Sequence, residues 1–327
     1  MSEIIRKTLI IALCLVLSKV LHLQVGIFLV LYGIIIANNC PVNRLPVMLR
    51  ILAPSFLAAV GASFVNQIFS AHPFIIWTLS VVYFDHIRKK TDTSVKARSA
   101  IFPLFNVIFI DTFANSSDFV LVVPDLIRDL FVSIFLASAI AYLVNLLLPI
   151  KLKKIQTPVV TLPVSGAERL KILILVGGGL AFLMLNEVTS ATFCLVPVIT
   201  SVMQPTYGHM KKEVEKRIIT QVGGCCSAMF LSILFMGTEI NVATFFLVSF
   251  GLVFTLMKWC ECPDPVERSI HNDAVLGILV PFQLYIGKYG NNFGLDLIAL
   301  RTVELVLALG VVYCVAIMLG KNQLART

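Results

Sequence analysis

From Phe131 to Leu148 the chain runs without a charged side chain, and stretches such as Val25–Ala37 and 241–257 do the same. Runs of that length and polarity suit a helix, whose backbone groups bond one another while its side chains meet lipid. Composition extends the argument to the whole chain. Hydrophobic residues make up 58% and charged ones 13%, against about 25% charged in a soluble domain. A transmembrane barrel would need segments of about ten residues alternating in polarity, and neither Ile4–Leu21 nor Phe131–Leu148 alternates. The expected fold class is all-α and polytopic. The formal net charge of +8 sits in breaks between apolar segments rather than on a basic face interleaved with aromatics, which argues against nucleic acid as a partner.

Polar breaks divide the chain into twelve apolar segments. The first six are Ile4–Leu21, Val25–Ala37, Ile51–Phe69, Phe74–Phe84, Ala100–Phe113 and Leu126–Leu148; the second six are 170–185, 189–204, 217–236, 241–258, 273–289 and 297–319. A basic, Pro-containing linker, 151–168, separates a first membrane repeat (1–150) from a second (169–327). With the N-terminus cytoplasmic, all of the 26 Lys and Arg except Lys19, Arg128, Lys288 and Arg301 fall on cytoplasmic segments. That bias predicts twelve spans with both termini inside. Arg6-Lys7 precede the first apolar run as in a signal peptide, but no small-residue cleavage site follows, so an uncleaved first span is expected. The eight cysteines lie mostly inside apolar runs, as small buried hydrophobes do. Cys260-Glu261-Cys262 has no second pair or nearby His, so no metal or other cofactor is expected.

The two halves resemble each other beyond hydropathy. Gln24–Phe64 and Ala191–Leu231 share an order of parts: apolar segment, short basic crossing, second apolar segment, with Arg50 standing where Arg217 stands. Asp125-Leu126-Ile127-Arg128 opens the sixth segment, and Asp296-Leu297-Ile298 with Arg301 opens the twelfth. Six spans per repeat is an even number, so a pseudo-twofold axis is expected along the membrane normal. Gln204-Pro205, the basic crossing, Arg217 and Gly223-Gly224 resemble the core of the fusaric-acid-resistance and aromatic-acid-exporter superfamily, in its short members known as a domain of unknown function. The resemblance covers both halves, the second more closely, although the larger members' cytoplasmic domain is missing. It implies an inner-membrane exporter of aromatic or other organic acids, working with a periplasmic membrane-fusion adaptor.

Ionisable groups inside spans are costly and so point to function. Lys19 and His22 lie at the turn after the first segment, and Asn186 and Glu187 at the matching turn of the second half. They are expected to face each other across the pseudo-axis, with Lys19 attracting a substrate carboxylate and Glu187 competing for it. The alternative for Lys19 is snorkelling to the interface. Arg301 and Glu304, at i and i+3, are read as an anion contact and a proton carrier, or else as an ion pair that lets the helix insert. Arg128 is the first-half counterpart of Arg301. Asp111, with Asn106 about a turn deeper, is a proton acceptor or a plain outer-loop acid. Gly223-Gly224 reads as a small-residue packing face.

These features describe a proton-driven exporter of a small organic anion, with membrane lipids around it and homo-oligomerisation open. An anion channel or a non-transporting scaffold is the alternative. An enzyme is not expected, because no nucleotide-binding, H-E-x-x-H or G-x-S-x-G motif is present.

Overall fold

The computed structural model of the chain describes residues 2–40, 43–116, 123–149, 161, 164–235, 241–286 and 294–324. Most of the linker expected over 151–168, and Lys288, lie outside these residues. The helices are α1 (Ser2–Val20), α2 (Ile27–Asn39), α3 (Leu45–Ile68), α4 (Pro73–Lys90), α5 (Ser94–Ala114), α6 (Val123–Leu147), α7 (Gly166–Ile172), α8 (Gly178–Asn186), α9 (Leu195–Val202), α10 (Tyr207–Arg217), α11 (Gly223–Phe235), α12 (Val242–Trp259), α13 (Pro265–Tyr285) and α14 (Leu295–Leu324). π-Helical turns, Leu173–Gly177 and Ile218–Val222, join α7 to α8 and α10 to α11, and a 3-10 turn, Ser190–Cys194, leads into α9. No strand forms among the described residues.

Each of the twelve apolar segments falls on a helix. Among the described residues, six helical stretches are long and apolar enough to cross a membrane: α3, α5, α6, α10 with α11, α12, and α14 to Leu319. The others miss that mark for local reasons. Helix α1 carries Glu3, Arg6, Lys7 and Lys19; α4 ends in Arg88, Lys89 and Lys90; α13 opens with Glu267 and Arg268. A π turn divides α7 from α8.

The basic crossing of the second half is helical, forming α10. Thr206 accepts the backbone N–H of His209 and caps α10, and pairs along one face sustain it, Glu213 with Arg217 at 3.0 Å and with Lys216 at 2.8 Å. Other helix starts follow the same chemistry. Asn241 caps α12, Ser165 caps α7, and Pro73 occupies the first turn of α4.

The chain forms two compact units, each interleaved in sequence: Met1–Ala53, Asp125–Ile155 and Thr220–Leu300 make one, and Pro54–Pro124, Gln156–Ile219 and Arg301–Thr327 the other. Unit 1 gathers α1, α2, α6, α11, α12 and α13, with α1 packed on α2 and α12, and α11 on α13. Unit 2 gathers α4, α5 and α7 to α10 with most of α3 and α14; α5 packs on α4, α8 and α9. Counted in apolar segments, unit 1 holds the first, second and sixth of the first half with the third, fourth and fifth of the second. Unit 2 holds the converse set.

Small residues set the closest approach in unit 1. A Cβ on Gly224 would stand 2.3 Å from the backbone carbon of Gly277, so α11 and α13 touch backbone to backbone. In unit 2 the π turn serves packing of another kind. The Gly177 carbonyl accepts the indole N–H of Trp77 from α4 at 2.9 Å.

Candidate functional site

Three polar sites stand out among the described residues of unit 2. The first is built on Arg301, near the start of α14, whose side chain is buried to 3% exposure. The guanidinium carbon lies 5.9 Å from the centre of the Phe193 ring on the 3-10 turn, a cation–π distance. Its Nε and Nη1 have no hydrogen-bond partner among the described residues. Glu304 stands one turn further along α14, yet the expected i,i+3 ion pair is not formed among the described residues. One carboxylate oxygen instead accepts the hydroxyl of Ser190 at 2.5 Å, and the other has no partner. Phe193 packs in turn against Phe105 and Phe109, with ring centres 5.4 and 5.8 Å away, and Phe109 against Phe113 at 4.4 Å. A buried cation, an acid with a free oxygen and a wall of aromatic rings thus meet at the head of α14.

The second site is Asp111, fully buried near the end of α5. One oxygen accepts the Asn66 amide N–H at 2.6 Å, and the other lies 2.5 Å from the Ser80 hydroxyl. Asn115 donates to Asn66 Oδ1 and to the Asp111 carbonyl. Asp111 is therefore interior, and the reading as an outer-loop acid is set aside. Asn106, a turn or so deeper, donates to the Ser55 carbonyl at 2.8 Å. A cavity of about 240 Å³ reaches this site at Ser80, with Ala58, Gly61, Ala62, Leu79 and Tyr83 among its walls.

At the start of α7, unit 2 holds a buried charge cluster. Glu168 lies 2.7 Å from Lys171 and 3.5 Å from Arg88. Lys171 also donates to the carbonyl of Gln204 at 2.8 Å, which ties the Gln204-Pro205 break to α7. Beside the cluster, Arg169 binds both oxygens of Asp85, at 2.6 and 2.7 Å. That bidentate bond, with Lys89 adding to it, pulls the Asp85 carboxyl down to about 2. Asn186 bonds back to the Phe182 carbonyl of its own helix, and Glu187 ends α8 in the left-handed region at φ 52°.

In unit 1, Lys19 donates to the backbone carbonyl of Gln283 on α13 at 2.7 Å, and Gln283 Nε2 donates to Ser18. Lys19 is thus held across unit 1 rather than snorkelling freely. His22, at φ 49°, is the other non-glycine residue in the left-handed region among the described residues. Asp129, buried to 2%, accepts the backbone N–H of Gln24 at 2.8 Å. Arg128 is exposed and pairs with Asp125 and Asp129, at 2.9 and 3.2 Å. Arg128 is therefore satisfied where Arg301 is not. Arg50 is exposed on α3, and Arg217 is buried and bonded to Glu213.

Within unit 2 the structure brings Arg301 and Glu304 to one site; Lys19 and His22 belong to unit 1, Asn186 and Glu187 to unit 2. Sequence reasoning missed Ser190, Phe193, Asn66, Ser80 and Gln283. All are uncharged and commonplace in membrane helices, so only three-dimensional proximity marks them.

The profile of a membrane-protein family described as "Protein of unknown function (DUF2955)" matches residues 3–144. The match lies on the first half, although the motif that carried the resemblance lies on the second. No curated protein and no solved structure is significantly similar to the chain.

Proposed function

We propose that the chain is an inner-membrane secondary transporter that exports small aromatic organic acids or related toxic compounds, driven by the proton gradient and working with a periplasmic adaptor. One observation carries this reading: Arg301 is buried with two nitrogens, Nε and Nη1, that no group among the described residues accepts from. Desolvated guanidinium N–H groups without an acceptor are costly. A carboxylate oxygen is a charge-assisted acceptor for such an N–H, and the Phe193, Phe105 and Phe109 rings offer a face for an aromatic group. Glu304, with one oxygen free, is placed to take up a proton as the anion leaves.

The architecture belongs to the same proposal: twelve spans, N-terminus and C-terminus cytoplasmic, in two like-oriented repeats. Three features support the repeats. Each unit takes complementary segments from the two halves. The two left-handed non-glycine residues among the described residues, His22 and Glu187, end the first helical segment of each half. In each half an acid on the last segment holds the turn between the first two, Asp129 through Gln24 and Glu304 through Ser190. The match to residues 3–144 is compatible with the superfamily resemblance without extending to the export function.

Benzoate flux into proteoliposomes containing the full chain tests the proposal. Saturable flux that follows an imposed pH gradient is expected. Arg301→Gln should lower it about 10- to 150-fold, because hydrogen bonds to a charged group contribute about 1.5–3 kcal/mol. Flux through Arg301→Gln at the wild-type rate would defeat the assignment. Large ohmic anion currents would favour a channel, and neither flux nor current would favour a scaffold.

A further inference from the structure

We propose that Asp111 is a proton-binding site whose acid form donates to the Ser80 hydroxyl, reached through the cavity between α3, α4 and α5. As the place where the driving proton binds, it rests on the carrier reading; that a proton binds there does not.

The argument starts from what surrounds the carboxyl. Asp111 is fully buried, and among the described residues no Lys, Arg or His lies within 4 Å of it. A carboxylate taken out of water needs a cation or a proton to balance its charge. The network decides between them. Asn66 Nδ2 faces two acceptors at once, the Ala62 carbonyl at 2.9 Å and Asp111 Oδ1 at 2.6 Å, while its Oδ1 accepts from Asn115. The amide orientation is thereby fixed, and it points an N–H at Asp111 Oδ1. That donor occupies the oxygen and disfavours a sodium or potassium ion there, which requires several oxygen ligands.

A proton needs only one acceptor, and Ser80 supplies it. A separation of 2.5 Å suits Ser80 donating to the carboxylate and equally suits the acid donating to Ser80. The step is balanced: hydronium in the cavity gives its proton to Asp111 Oδ2 and leaves as water, and the Ser80 hydrogen turns away from the new O–H. A cavity of about 240 Å³ has room for water, which needs polar partners to settle; Ser80 and Tyr83 are among the residues that line it.

Tyr83 is the titratable residue on the cavity wall. The part of α3 in unit 2 carries no ionisable residue, and neither do α8 and α9; the 3-10 turn carries Cys194. The charged residues of α4, Asp85 to Lys90 with His86, follow Tyr83 toward its C-terminus, and Lys96 and Arg98 of α5 lie in its opening turns. Arg301 is connected to α5 through Phe193, and Glu304 is bonded to Ser190 of the 3-10 turn.

The fold does not call for an acid here. Aligning α5 with α13 and α4 with α12 from their first residues puts Phe282 at the place of Asp111 and Ser249 at that of Ser80, both fully buried. Unit 1 closes the equivalent position with a ring stacked on Phe245.

Infrared titration of the full chain in lipid vesicles reads the site without any substrate. A carboxylic-acid C=O band should appear and disappear between about pH 4 and pH 9, be lost in Asp111→Asn and be retained in Asp111→Glu. Ser80→Ala should move the band to higher wavenumber, and Ser80→Thr should restore it. The proposal is overturned if no such band titrates, if it survives in Asp111→Asn, or if sodium displaces it at constant pH. Benzoate flux separates the two claims. A band that behaves as stated with no flux in any variant leaves the proton site standing and removes the carrier. Flux with the same pH dependence in Asp111→Asn removes the site's role in driving transport.

Discussion

Gly223 and Gly224 are neighbours in the chain but differ in what a methyl group would meet. A Cβ on Gly223 finds nothing within 4 Å, whereas one on Gly224 would run into the Gly277 backbone at 2.3 Å. Gly223→Ala should therefore be neutral or stabilising by up to about 1 kcal/mol, the helix-propensity difference. Gly224→Ala should cost about 1–3 kcal/mol, as overpacking does. Thermal unfolding of the two variants in one detergent makes the comparison, and equal Tm values would contradict the backbone contact. At the same scale, Arg301 and Glu304 could be picked out in the sequence because charge inside an apolar run stands out. Their surroundings could not. Ser190 and Phe193 are ordinary membrane-helix residues, and helical spacing alone suggested an Arg301–Glu304 pair that the Phe193 ring and the Ser190 hydroxyl replace.

Between elements, the firmest polar link outside the apolar segments joins α4 to α7 through Asp85 and Arg169. Its pH dependence follows from the depressed carboxyl. Asp85 is lowered to about 2 by Arg169, against about 3.9 in an unfolded chain. The stabilisation is complete above the unfolded value and is lost as pH falls toward the folded one. Wild-type Tm should fall between about pH 5 and pH 2 more steeply than that of Asp85→Asn. Parallel curves would show that the link adds nothing. Element positions were legible, since each apolar segment became a helix. Element details were less so: the basic crossing gave no sign that Thr206 would cap it into α10, and the Gly177-Gly178-Gly179 run gave no sign of a π turn.

Across the whole molecule, hydropathy locates helices but is silent about which of them pack together. Periodicity within a helix marks a face and never names its neighbour, so the interleaving of the two units was beyond reach of the sequence. That interleaving bears on biogenesis. Unit 2 lacks α14 until the ribosome reaches the last stretch of the chain, and unit 1 lacks α11 to α13 until shortly before. The first six helices must wait as orphans in need of protection until those partners are made. Expressed alone, residues 1–150 should be degraded, and so should 169–327; produced together as two polypeptides, they should rescue each other's abundance on an immunoblot. Survival of either fragment by itself would mean that a half is its own folding unit.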